Sequence, residues 1–164
     1  MIVETYRLYI RPLNEKDAPA MSHYRNKEEV AKYQTWKHYS LNDALKRIQH
    51  CQRIDVYNQP RTDYHLAVVS KQNQQMIGDI FVEIVNRKTF VLGYTLDSEF
   101  WSLGYGSEFV GAFIEYMKVT YDMKKVLCYV YPDNDRSIRL LKKLGFHKFE
   151  ESYFYGDIGY MKKL

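Results

Sequence analysis

Cysteine is nearly missing from this chain: Cys51 and Cys128 are the only two, and they form no Cys-x-x-Cys pair. No disulfide framework and no cysteine-based metal centre is therefore expected. The five histidines show no metal-ligand spacing either, so no metal is expected. No apolar stretch approaches bilayer-spanning length, which argues against a membrane helix. Runs of five or six like charges are absent, as is an arginine-rich arm. The formal charge of +4 (24 Lys+Arg against 20 Asp+Glu) is too small and too dispersed to point to nucleic acid. There are no internal repeats or low-complexity segments. Met1 leads into Ile2, Val3 and Glu4 with no basic start, apolar segment and small-residue cleavage site. A reduced, cytoplasmic protein is the expectation.

What is present fits one domain over 1–164, large enough to bury a core without a metal or disulfide staple. Hydrophobic residues make up 46% of the chain, a usual globular share. The 16 tyrosines combine large apolar area with a polar tip. They suit the lining of a partly wet cleft, and compositional drift explains them equally well.

The pattern along the chain changes period twice. Residues 6–11 alternate like a strand and stop at Pro12, which cannot donate to a ladder. Asn14 and Asp17 suggest a capped helix through Ala18, Met21 and Tyr24, with a short helical turn over 28–32. An aromatic loop follows with Tyr33, Trp36, His38 and Tyr39. Ser40 or Asn42 caps a helix carrying Leu41, Leu45, Ile48 and Ile54, which ends in the polar stretch around Pro60. Residues 65–69, 76–85 and 89–96 are β-rich runs separated by polar turns, an antiparallel meander. After Gly104, Phe109, Phe113, Met117 and Tyr121 recur every four residues, a helical stripe. Residues 126–131 read as a strand and 134–144 as an amphipathic helix with a left-handed stop at Gly145. Two further strands fill 146–164, with Gly156 and Asp157 in or near their turn. The order is β, two or three helices, three strands, then β-α-β-α-β-β. The fold class is α+β, a mixed, mostly antiparallel sheet with helices on both faces.

Chemistry concentrates where the strand ending at Leu96 passes through a loop into Gly104-Tyr105-Gly106-Ser107. Glycines there permit positive φ and close backbone approach. The unpaired N–H groups of the first helical turn form a natural phosphate site, to which the Ser107 hydroxyl adds a donor. Taken alone, Gly-x-Gly also reads as a plain strand-to-helix turn. Farther on, Asn134 and Ser137 lie three apart at a helix start, where capping is one reading and a cleft-facing role another.

Four segments together resemble the GNAT superfamily of N-acetyltransferases, and within it the ribosomal-protein N-terminal (RimJ/RimL-type) branch. Residues 4–12 resemble its opening strand and 33–40 its Trp-containing loop. Residues 101–106 resemble the pyrophosphate loop Q/R-x-x-G-x-G/A, with Trp101 in place of Gln or Arg. Residues 134–146 resemble the N-x-x-S…K-L-G-F helix. The resemblance covers nearly the whole chain, in order.

It implies a GNAT fold and transfer of acetyl from acetyl-CoA to an amine, either a protein N-terminus or a small amine, without an acyl-enzyme. Tyr94, Thr95, Leu96, Leu103, Gly104, Tyr105, Gly106, Ser107, Asn134 and Ser137 would hold the acetyl-CoA. The Leu96 N–H would polarise the thioester, and the pantetheine arm would pair with 93–96 like an extra strand. Leu141 stands where members often carry a general-acid Tyr, which leaves Ser137 to protonate the thiolate. Glu150 or Glu151 would be the base, with a water relay as the other route. Trp36, Tyr39 and Glu83 would bind the acceptor. Arg139, Lys142 and Lys143 either meet the 3′-phosphate or form a solvated helix face. A homodimer is the expectation, and a non-catalytic acyl-CoA-binding module is the alternative function.

Overall fold

The computed structural model describes residues 1–52, 63–151 and 156–164. Alternating runs become the strands β1 (Val3–Glu4), β2 (Leu8–Pro12), β3 (Asp63–Ser70), β4 (Met76–Asn86) and β5 (Thr89–Leu96). The C-terminal part adds β6 (Lys125–Val130), β7 (His147–Glu151) and β8 (Ile158–Lys163). The helices are α1 (Ala18–Arg25), α2 (Glu28–Ala31), α3 (Leu41–Gln52), α4 (Tyr105–Tyr121) and α5 (Asp135–Lys143). The strands join in one sheet, ordered β1-β2-β3-β4-β5-β6-β8-β7. Every neighbouring pair is antiparallel except β5 with β6.

Strand alternation sends opposite side chains to two cores. On one face Leu66, Val68, Ile80, Val82 and Leu92 meet Phe109, Phe113 and Met117 of α4 and Leu141 of α5. Burial of each of these phenylalanines contributes roughly 1.5–3 kcal/mol. On the other face Ala67, Val69 and Met76 meet Met21 and Tyr24 of α1 and Ala44 and Ile48 of α3. Helices thus cover both faces, as the sequence implied.

The helix ends follow local chemistry. Ser40, rather than Asn42, caps α3: its Oγ accepts the Asp43 N–H at 3.1 Å, and Asp43 Oδ2 accepts the Ser40 N–H at 2.9 Å. Asn134 Oδ1 accepts the Ser137 N–H at 3.2 Å to open α5. That helix closes with Gly145 at φ +84° and the Phe146 N–H donating to the Leu141 carbonyl at 3.0 Å.

Three expectations need correction. The single opening strand expected over 6–11, stopping at Pro12, is instead the two-residue β1 followed by β2, which starts at Leu8 and keeps Pro12 as its last residue. Asn14 caps a 3-10 turn, Glu15–Asp17, and α1 begins only after it. No additional strand separates β5 from α4; a 3-10 turn, Ser98–Phe100, stands there. The expected helix position of Ile54 and the break around Pro60 lie outside the described residues.

A charged cluster sits inside the α1 side of the sheet. Arg25 Nη2 contacts Asp79 Oδ1 at 2.7 Å, both side chains nearly solvent-free, and the Tyr24 hydroxyl donates to Asp79 Oδ2. His65 Nδ1 lies 3.0 Å from Asp79 Oδ1. Burial opposes the Asp79 charge, but Arg25 and His65 outweigh it and hold the carboxyl well below its usual range. For His65, burial wins over the pull of Asp79 and lowers the imidazole pKa.

Both depressed values make the fold acid-sensitive. The unfolded chain binds a proton at His65 below about pH 6.5 and at Asp79 below about pH 4, while the folded protein resists both. Stability is therefore full above about pH 6.5 and declines as pH falls through that value, with a second loss below about pH 4. The urea midpoint of wild type is expected to fall between pH 7.5 and 5.5, and His65→Gln to flatten that slope. A wild-type midpoint constant over this interval would refute the assignment.

Candidate active site

The parallel pair β5–β6 is short. Its register runs only through Thr89↔Lys125, Phe90↔Val126 and Val91↔Leu127, after which the strands part. The Asp97 N–H donates to the Ile77 carbonyl at 2.8 Å, in register with the pair Gly78↔Leu96. Antiparallel alternation then aims the N–H groups of Leu92, Tyr94 and Leu96 away from β4, into the gap.

The gap holds a cavity of about 250 Å³. Its walls are Leu92, Gly93 and Tyr94 of β5, Cys128 to Val130 of β6, Tyr131, and Asn134 and Ser137 at the head of α5. Tyr33, Gln34 and Thr35 cover one side, and Asp157 enters just before β8. The Tyr33 hydroxyl reaches the Asp133 carbonyl at 3.3 Å. An adjoining cavity of about 90 Å³ adds Thr95, Leu96, Trp101, Gly106, Arg136 and Leu140.

The turn into α4 is held from several sides. Trp101 Nε1 donates to the Leu96 carbonyl at 2.9 Å. Gly104, the N-cap, has φ +83°, a region that side chains other than glycine's rarely occupy. At Gly106 a Cβ would lie 2.6 Å from Leu140 Cδ1, so glycine lets α5 approach. Arg7 steadies the turn by donating to the Leu103 carbonyl (3.0 Å) and Glu108 (2.7 Å), with its guanidinium 3.9 Å over the Tyr105 ring. Intrahelical bonding begins with the Glu108 N–H to the Gly104 carbonyl at 3.1 Å. The N–H groups of Tyr105, Gly106 and Ser107 are thus the orphan donors of the first turn. The Ser107 hydroxyl is not a further donor: it donates to the Gly104 carbonyl at 3.1 Å.

Inside the cleft the Tyr94 hydroxyl and Ser137 Oγ are 2.6 Å apart. Burial pushes the Tyr94 phenol far up, so it stays protonated through the neutral range. Leu141 is buried in the core and brings no polar group. Burial also raises both thiols, Cys51 and Cys128, which makes neither a ready nucleophile.

Trp36, Tyr39 and Glu83 lie elsewhere. Trp36 and Tyr39 stack on Arg25, with ring centroids 4.4 and 4.6 Å from its Cζ, and Trp36 Nε1 donates to the Arg25 carbonyl at 3.0 Å. Both border an outer concavity with His38, Asp43, Arg47 and Asp63, not the cleft at Ser137. Glu83 pairs with Asp63 and Val91, and strand alternation gives it the same sheet face as Asp79, opposite Ile80 and Val82. The backbone of Glu150 and Glu151 belongs to β7, and their side chains lie outside what is described. Conversely, the sequence marked Asp157 only as a turn residue and passed over Arg136, Arg7 and Gln34. Nothing local singles these out, since their partners lie far away along the chain.

The sequence model of the acetyltransferase (GNAT) domain matches residues 7–147. The chain belongs to the GNAT acetyltransferase family. The uncharacterized N-acetyltransferase YoaA of Bacillus subtilis is 27% identical over 150 residues, covering 90% of this chain and 83% of YoaA. The solved GNAT acetyltransferase of Bacillus anthracis superposes with a TM-score of 0.85 at 19% identity, covering 99% of this chain and 98% of that one. The ribosomal L7/L12 α-N-protein acetyltransferase RimL, solved with coenzyme A, gives 0.83 at 19% identity, covering 99% and 97%. These likenesses establish the GNAT fold found here, with its mixed, mostly antiparallel sheet. Among the described residues, no group of three or more His, Cys, Asp or Glu is placed to hold a metal, and no helix is long and apolar enough to cross a membrane.

Proposed function

We propose that this GNAT acetyltransferase, acting as one domain over 1–164, transfers acetyl from acetyl-CoA to a primary amine by direct attack, without an acyl-enzyme. The observation that carries the reading is the unpaired edge of β5, opening beside a glycine turn whose helix presents free N–H groups. An extended pantetheine arm fits that edge as a strand would, with Tyr94, Thr95 and Leu96 on one side and Asn134 on the other. The pyrophosphate then meets the backbone of Leu103, Gly104, Tyr105, Gly106 and Ser107, where the helix dipole favours anions.

The Leu96 N–H polarises the thioester carbonyl. Ser137 gives its proton to the departing thiolate and takes one back from water entering the cleft, its Oγ held 2.6 Å from the Tyr94 hydroxyl. For the base, Asp157 supplies a carboxylate bordering the cleft, in addition to the Glu150 or Glu151 that the family resemblance implies. Its Oδ1 is buried with no hydrogen-bond partner among the described residues. An arriving ammonium satisfies that oxygen, and the carboxylate then takes its proton. A cationic acceptor, whether a small amine or a protein N-terminus, follows from this chemistry.

The test is calorimetry with acetyl-CoA, followed by CoA release in the presence of peptides, polyamines and aminoglycosides. Binding with no release across these panels would favour the non-catalytic acyl-CoA module, a reading that the buried Leu141 at a usual acid position supports. Ser137→Ala and Asp157→Asn are each expected to lower kcat by about 10²-fold. Unchanged kcat in both variants would return the proton transfers to water.

A further inference from the structure

The cations around the cleft are nearly all spoken for. Arg7 is bound to Glu108 and the Leu103 carbonyl, and Lys27 to Asp97 and Glu99 at 2.6 and 2.7 Å. Arg25 belongs to the buried Asp79 cluster, and Lys32 lies 3.5 Å from Asp133. Arg136 differs. It borders the cavity that contains Gly106, and none of the ion pairs among the described residues involves it. Its guanidinium instead rests on an aromatic plate, with Cζ 3.7 Å from the Trp101 ring centroid. That plate is itself fixed, because Trp101 Nε1 is anchored on the Leu96 carbonyl.

Given the acetyl-CoA reading above, we propose that Arg136 is the cationic partner of the donor's pyrophosphate, delivered across the cleft mouth on the face of Trp101. The first turn of α4 offers backbone N–H groups and only a fraction of a positive charge, while each phosphoryl group of a pyrophosphate carries a full negative charge on its oxygens. A guanidinium fork matches phosphate oxygens two at a time and can remain stacked while doing so. Trp101, where the family's loop often carries Gln or Arg, thus does not leave the loop without a polar contact. It is a positioning residue that borrows a charge from α5. The stack also spans the loop before α4 and the first turn of α5, so the donor is held from both walls.

The experiment titrates CoA, 3′-dephospho-CoA and pantetheine into wild type, Arg136→Ala, Arg136→Lys and Trp101→Leu by calorimetry. Arg136→Ala is expected to weaken CoA and 3′-dephospho-CoA on the order of tenfold to a hundredfold and to leave pantetheine within about twofold. Arg136→Lys recovers part of the loss, since charge remains without the planar fork. Trp101→Leu weakens CoA less, and adds little in the Arg136→Ala background. Equal losses for CoA and pantetheine, or a loss confined to CoA and absent with 3′-dephospho-CoA, would overturn the pyrophosphate role. Unchanged CoA affinity with a raised acceptor KM would overturn it too and move the guanidinium to an anionic acceptor. Wild type that binds no CoA would instead remove the donor reading on which this role rests.

Discussion

Gly106→Val is expected to abolish measurable acetyl-CoA binding while the protein still unfolds cooperatively. The first added carbon alone lies 2.6 Å from Leu140 Cδ1, well inside contact distance. Leu140 lines the narrow cavity of about 90 Å³ together with Leu96, Arg136 and Ser137. The variant therefore either fills the place of the donor or pushes α5 off the cleft, and both outcomes forfeit the backbone contacts to pyrophosphate. Loss of two such charge-assisted bonds weakens binding on the order of 10²-fold or more. Gly104→Val reaches the same end differently, because a β-branched residue at φ +83° is strained and would rebuild the turn. Calorimetry on both variants decides the matter. Donor affinity close to wild type in either would place the phosphates away from this turn.

Arg25→Ala is expected to cost about 3–5 kcal/mol of folding stability, enough to leave a typical domain partly unfolded at growth temperature. The loss exceeds that of a surface pair because Asp79, almost without solvent exposure, would keep its charge with only Tyr24 and His65 to answer it. The same change strips Trp36 and Tyr39 of the cation between them. An Arg25→Met, Asp79→Leu double variant is expected to be more stable than either single variant, since removing both charges removes the debt of each. Urea unfolding monitored by circular dichroism measures all of these. A cost below about 1 kcal/mol for Arg25→Ala would show the cluster to be dispensable.

How far the sequence could be read depended on the distance over which each signal acts. The four-residue stripe through Phe109, Phe113 and Met117, the cap at Asn134 and the stop at Gly145 are local, and each stands where the pattern implied. Gly104 and Gly106 were legible for the same reason. What escaped was made by residues far apart in sequence. Arg7 meets Glu108 across 101 positions. Trp101 and Arg136 meet only because the head of α5 folds back toward the loop before α4. Trp36 and Tyr39 looked like acceptor-binding aromatics because no local rule reveals a buried arginine in a helix that ends at position 25. Glu83, expected to bind the acceptor, takes the sheet face of Asp79 through the pairing of β3 with β4.

The sheet is two panels joined along a narrow seam. Five strands stand on one side and three on the other, and between them run three residue pairs of parallel register. On the proposed function, an acyl donor along the free edge of β5 would bridge the panels beside that seam and complete the sheet. Its binding energy then counts toward holding the fold together: at a hundred times its dissociation constant, about 2.7 kcal/mol. The half-life of the protein in a cell would accordingly follow the supply of its acyl donor, lengthening when that thioester is plentiful and shortening when it is scarce.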